Sequence, residues 1–507
     1  MNDEAKARAI GVEAVAMTKR FGDFTALDNV SLKVVPASFH ALLGENGAGK
    51  STLVKCIMGY YQPDQGAVIV ADRERDIANP RAAHALGLGT VYQHFTLVPA
   101  MTVTENLVLA RDHLPAIIDW RAETNRLDAF LAQMPFRVPL GAKVSALSAG
   151  ERQKCEILKQ LYLERHFLIL DEPTSVLTPG EADEVLGMLR DMVTGGDLTI
   201  LMITHKFREV MAFADEVTIL RRGRLAGRGD VKDLTPDEMA RTMIGAEQLT
   251  VAPARAVARG SRRLEIASLG ALDDGGQPAV RDLSVTVHAG EIVGVAGVSG
   301  NGQRELVEVL AGQRDAAAGE IRVGGEPYRA QREEMRAHKL SCLPEEPLKN
   351  ACVARMSVAD NLSFRAFDQP PFARGGWWLD QSRFRERAIH AIERYRIKTR
   401  GCDTPIGELS GGNVQRAVLA RELGGEVDIM IAANPCFGLD FAAIAQIHAE
   451  IMAVRNRGAA VLLVSEDLDE LLELADRILV IFRGRFVHEV AAAAADLTEI
   501  GRHMAGH

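Results

Sequence analysis

GENGAGKST, running from Gly44 to Thr52, is the stretch that decides the fold. Its spacing, G-x-x-x-x-G-K-S with a Thr after it, is that of a P-loop, a glycine-rich turn whose backbone amides and lysine grip phosphates. Gly44, Glu45, Asn46, Gly47, Ala48, Gly49, Lys50, Ser51 and Thr52 are therefore the candidate nucleotide cradle. Further along, GVSGNGQRE, from Gly297 to Glu305, keeps the glycines but sets Gln303 where the lysine belongs and Arg304 where the serine belongs. One cradle is complete, and the other has lost its reactive groups.

Other landmarks recur at nearly the same offset, which points to a duplication. LSAGE near Ser148 is answered by LSGGN near Ser410, and LILDEPTS around Asp171 by MIAANPCF around Ala433, each after 262 residues. ITHKFREV around His205 is answered by VSEDLDEL around Glu466 after 261. The expected division is residues 8–246, an exposed linker over 247–263 (EQLTVAPARAVARGSRR), and residues 264–507. Within each half short apolar runs alternate with amphipathic stretches, as in FLILDE followed by GEADEVLGMLRDM, which predicts an α/β fold of buried parallel strands joined by helices. Ligands of such sheets sit beyond the carboxyl ends of the strands, so the P-loop after Leu43 and the carboxylates after Leu170 should converge.

A chain of 507 residues has room for both copies to fold. With 47% apolar and 25% charged residues it reads as globular, and a net charge of −9 offers no basic face for nucleic acid. No apolar run approaches the roughly 18 residues that would cross a bilayer. The start MNDEAKARAI lacks the profile of a signal peptide, so a cytoplasmic location is expected. Cys56, Cys155, Cys342, Cys352, Cys402 and Cys436 lack C-x-x-C spacing and read as reduced side chains rather than metal ligands.

In the first copy Lys50 supplies charge to the β- and γ-phosphates and Ser51 offers a hydroxyl to Mg²⁺. Amides at the helix start add partial positive charge, and ATP or GTP is the natural ligand. Asp171, ending a buried strand, suits Mg²⁺, and Glu172 beside it suits a general base that polarises an attacking water. In the second copy Ala433 replaces the aspartate, Asn434 the base and Glu466 the histidine. Gly297, Gly300, Gly302 and Arg304 leave a phosphate nest, so silent binding and an empty site are both open.

LSAGE, LSGGN, DEPTS and ITHK, with the P-loop, make the chain resemble the ATP-binding cassette family, once per half. The resemblance implies two tandem cassettes, each a RecA-like core with a helical subdomain, packed head to tail so that each nucleotide lies between one P-loop and the other signature. On that reading ATP and Mg²⁺ are held by the P-loop, Asp171 and Gln93, and by Ser410, Gly411, Gly412 and Asn413 of the second half. Glu172, Lys50 and His205 are catalytic, and Phe21 stacks on adenine. Segments 95–143 and 344–405 would be the helical subdomains that dock integral-membrane permeases. The pair Trp377 and Trp378 reads as packing.

An intact first site with a degenerate second resembles the double-cassette ATPases of bacterial sugar and nucleoside importers. QHFTLVPAMTVTEN, DEPTSVLTPGE, ITHKFREVM and SEDLDELLELADR favour nucleosides, with a simple sugar as the alternative. The implied partners are permeases and a substrate-binding receptor, with no nucleic acid, at the cytoplasmic face of the inner membrane. Departures from the family pattern fall at Thr178, where an aspartate is usual, and at Ala149 and Glu151 of the first signature. LPEEPLKNACVARMSV also lacks an expected D-R pair. A soluble ribosome-associated double-cassette protein is a rival that usually keeps both sites intact.

Overall fold

The computed structural model describes residues 9–92, 95–111, 113–245, 253–375, 378–437, 439 and 441–506. The chain divides into two compact units, Met1–Leu249 and Thr250–His507.

In the first unit a four-stranded antiparallel sheet runs in the order Phe24–Val34, Val12–Phe21, Gln65–Val70, Arg73–Arg75. A six-stranded sheet runs Arg224–Asp230, Glu216–Arg221, Phe39–Leu43, Thr199–Ile203, Phe167–Asp171, Leu88–Val91. Its strands are parallel except Arg224–Asp230, which closes one edge as an antiparallel hairpin. Phe39–Leu43 and Thr199–Ile203 are buried at every position, which is why they read as unbroken apolar runs.

Alternate residues of each central strand serve two cores. Phe167 and Ile169 face the core shared with the antiparallel sheet, while Leu168 and Leu170 face a second core. That second core also takes Leu107 and Leu127 from the helices Val103–Leu109 and Trp120–Leu131. The segment beyond residue 95 is thus a helical layer packed on the sheet through the helix Ala149–Tyr162.

The second unit repeats this plan. Its antiparallel sheet is Pro278–His288, Arg262–Leu272, Ala318–Val323, Glu326–Pro327, and its mixed sheet is Leu340–Leu343, Ile429–Ala433, Ala460–Ser465, Ile292–Ala296, Arg477–Phe482, Arg485–Ala491. Strand order and directions match the first unit, so the duplication read from motifs extends to topology. Residues 253–261 are exposed, yet they are tied into this unit. Arg255 donates to the carbonyls of Glu473, Leu474 and Ala475 at the end of the helix Leu468–Leu474, satisfying groups a helix terminus leaves open. Trp378 is 66% exposed, which corrects the packing role expected for it; Trp377 lies outside the described residues.

Candidate functional site

Register alone assembles the first site. In the parallel sheet Leu42 pairs with Ile203, and Ile203 in turn pairs with Asp171. The chain therefore leaves the sheet at one edge three times, as Gly44, as Glu172 and as Thr204-His205. Gln93 lies outside the described residues; the strand Leu88–Val91 preceding it pairs at Val91 with Leu170, at the same edge.

The loop of the first exit turns through Gly47 and Gly49 and opens the helix Lys50–Ile57. Gly49, at φ 104°, caps that helix in a left-handed conformation, and a Cβ there would meet Leu27 Cδ2 at 2.8 Å and the Ala26 carbonyl at 2.9 Å. Only glycine fits. The Lys50 amine folds back over the loop, donating to the carbonyls of Gly44 at 2.5 Å and Glu45 at 3.1 Å. Ser51 is exposed at the helix start, where the amides and the helix dipole favour an anion.

At the second and third exits Glu172 takes a positive φ of 49° and meets His205, whose Nδ1 donates to Oε1 at 3.3 Å. Burial pushes the Glu172 carboxyl up, but the hydrogen bond from His205 and the charges of His205, Lys50 and Lys206 outweigh it and hold the group below its ordinary value. Glu172 is thus a carboxylate at neutral pH. Sequence reasoning missed what fixes these loops. Buried Glu209 accepts from Thr174 Oγ1, just past Glu172, and from Thr204 Oγ1 at 3.0 Å, just before His205. The signal was in the repeat, since Glu470 and Ser465 preserve the bond in the second unit at 2.6 Å.

Phe21 ends the strand Val12–Phe21, is 43% exposed and sits edge-on to Tyr61 with ring centroids 5.2 Å apart. It is not a core residue, and the Lys19 ammonium lies over its ring, 5.5 Å from the centroid.

In the second unit the same three exits are present, as Gly297, as Asn434 at φ 41° and as Glu466. Gln303 replaces the lysine in shape: its Nε2 donates to the Val298 carbonyl at 3.0 Å and its Oε1 accepts from Asn301 N at 3.0 Å. Asn434 Oδ1 accepts from the Glu466 backbone N at 2.8 Å. Burial, and then Glu345 nearby, push the Glu466 carboxyl up to about 7 against a lowering hydrogen bond with Ser299. Arg304 is engaged by Asp274 and Glu308. The cavity here, about 130 Å³, is lined by Glu308, Glu345, Glu346 and Glu466 with Arg304 and Lys349 as its cations. Carboxylates outnumber cations where phosphates would sit.

The two signature segments also differ. Ser148 and Glu151 form a capping box on the helix Ala149–Tyr162, so the Glu151 carboxylate occupies that helix start itself. Ser410 caps Gly411–Glu422 without using its side chain on the helix amides; its hydroxyl accepts instead from Asn413 Nδ2 at 2.8 Å. Asn413 Oδ1 accepts from Lys398 N at 2.8 Å, and a Cβ on Gly411 would meet nothing within 4 Å. This helix start is open to an anion.

A P-loop, a strand-end carboxylate pair and a histidine converging on one sheet edge define a nucleoside-triphosphate-binding ATPase. The ABC transporter family model matches residues 27–175 and again 280–436, and the chain belongs to that family. It is 36% identical to the nucleoside import ATP-binding protein NupA of Lactococcus lactis subsp. cremoris, over 98% of each chain. It is 37% identical to the glucose import ATP-binding protein TsgD13 of Haloferax volcanii, over 97% of this chain and 94% of that one. Among solved structures the RNase-L Inhibitor aligns with 94% of this chain and 90% of its own at TM-score 0.64 and 19% identity, a likeness of fold.

Proposed function

We propose that this chain is the ATP-hydrolysing subunit of an importer that carries nucleosides through separate integral-membrane permeases fed by a substrate-binding receptor. It works at the cytoplasmic face of the membrane. The observation that carries the reading is a single complete site, Lys50, Ser51, Asp171, Glu172 and His205 at one sheet edge of the first unit, whereas the cradle of the second unit is filled by its own glutamine. Lys50 and the loop amides hold the ATP phosphates, and Phe21 stacks on the base. Mg²⁺ would be held by Ser51, Asp171 and Gln93, a hard oxygen donor set that suits it, and would neutralise phosphate charge when bound. Glu172 takes the proton of the attacking water, and His205 holds that carboxylate in line.

On the same reading Ser410, Gly411, Gly412 and Asn413 also bind ATP phosphates, as the family resemblance implies. No helix among the described residues is long and apolar enough to cross a membrane. The docking face for the permeases is the helical layer, where Val98, Leu109, Leu114, Ile117 and Trp120 are exposed, Ile117 by 88%.

Glu172→Gln tests the mechanism. With the proton acceptor gone, ATP turnover and uptake should fall roughly 10²–10⁴-fold while ATP binding is retained. Undiminished turnover removes Glu172 from this role. The likeness to TsgD13 supports a sugar as the second reading of the cargo. Uptake of labelled guanosine against labelled glucose by cells expressing the chain with its permeases separates the two.

A further inference from the structure

The last strand and last helix of the second unit carry a cluster that the nucleotide chemistry does not use. His488 lies on the edge strand Arg485–Ala491, and Glu499 and His503 lie one turn apart on the helix Leu497–Ala505. That spacing sets the latter two on one helix face. The His488 and His503 rings stack with centroids 4.4 Å apart and planes 18° from parallel. Nε2 of His488 is buried and has no hydrogen-bond partner among the described residues. The ligand atoms of the three side chains lie within 4.8 Å of one another.

The first unit provides an internal control. With the repeat shift of 261, His488, Glu499 and His503 correspond to Gly227, Glu238 and Thr242 on the matching strand and helix. There the strand and helix meet closely, since a Cβ on Gly227 would lie 2.9 Å from Thr242 Cγ2. The fold needs no histidine at either place. Glu238 is also committed to its helix cap, its carboxylate accepting from Thr235 N and Oγ1, both at 2.8 Å. In the second unit Asp496 takes over the cap, accepting from Thr498 N and Glu499 N, so the Glu499 carboxylate has no part in it. Three differences at this junction thus introduce two imidazoles and release a carboxylate beside them.

From this geometry we infer that His488, Glu499 and His503 form a zinc site that clamps the final helix to the edge strand. Two imidazole nitrogens and one carboxylate oxygen suit Zn²⁺, whereas Mg²⁺ and Ca²⁺ prefer all-oxygen sets. Donors about 2.0–2.2 Å from a tetrahedral zinc lie about 3.3–3.6 Å apart. Stacked rings aim their nitrogen lone pairs along nearly parallel planes, so ligation turns one imidazole out of the stack while Glu499 rotates toward it. The fourth position is left to water.

The test is zinc titration of the untagged, metal-stripped full chain without nucleotide, read by competition with a chromophoric chelator. One equivalent should bind, and Zn²⁺ should slow amide exchange in residues 497–505. Glu499→Gln, which removes a ligand from an exposed position, should weaken binding at least tenfold. The pair His488→Gly with His503→Thr, which restores the first unit's residues, should abolish it. Cys436, His448 and Glu470 are the other such cluster among the described residues, so Cys436→Ser should leave binding unchanged and Co²⁺ should give no thiolate charge-transfer band. No zinc uptake, or unchanged uptake in both Glu499→Gln and the double variant, overturns the inference.

Discussion

Gln303 retains a loop while deleting its chemistry. Its amide makes to Val298 and Asn301 the kind of local bonds that Lys50 makes to Gly44 and Glu45, so the second cradle stays folded without a cation to offer phosphate. Glu466 completes the inversion. Its carboxyl, at about 7 when folded, lies well above the roughly 4.3 of an unfolded glutamate, so folding favours the protonated form. The resulting stability is fully present below the unfolded value and is lost as pH rises through the folded one. At about pH 8 the ionised side chain is therefore a burden, and Glu466→Gln should raise the stability of the second unit by about 1–3 kcal/mol. The gain should fade as pH falls below about 5, which urea unfolding at the two pH values measures. An equal gain at both would show that charge is not the cause.

At the scale of elements, Thr178 stands where the family usually has an aspartate, and the structure gives it a local task. Its hydroxyl accepts from Glu181 N at 3.3 Å, and its own N donates to Glu181 Oε2 at 3.1 Å, a capping box that starts the helix Pro179–Thr194. Thr178→Ala should cost about 0.5–2 kcal/mol in chemical unfolding, while Thr178→Asp, also a good cap, should cost far less. Such caps went unread in the sequence, whereas the central strands were legible, because FLIL and TILMI are buried on both faces and cannot be mistaken for a surface pattern. The antiparallel sheet was not foreseen. Val12–Phe21 pairs with Gln65–Val70 across dozens of residues, and register shifts near Ala14 and Met17 break the period-two alternation that would announce a strand. That Lys50, Asp171, Glu172 and His205 meet at one sheet edge was legible from their motifs. Glu209 was not, because a buried carboxylate is indistinguishable in sequence from a charged helix face until its threonine partners are known. Nor was the fate of Asn434, whose side chain turns to the backbone of Glu466.

For the whole molecule, two units of the same topology differ at both ends of the proposed partnership. The complete P-loop belongs to the unit whose signature helix start is filled by Glu151, and the depleted P-loop to the unit whose signature helix start is open. If each pocket is closed by the other unit's signature, open start meets competent loop and filled start meets incompetent loop, so the asymmetry is consistent across the chain. Pairing within each unit would set Glu151 against the phosphates held by Lys50 and repel them. Matched substitutions decide between these arrangements. Ser410→Arg should lower ATP turnover roughly 10²–10³-fold, the cost of losing a preorganised donor at a reacting phosphate. Ser148→Arg should change turnover by no more than about two- to threefold, having lost a helix cap of about 1 kcal/mol away from the reaction. Steady-state phosphate release by the two variants at saturating ATP gives the answer. Equal losses would mean that both signatures serve turnover, and a larger loss at Ser148 would reverse the pairing.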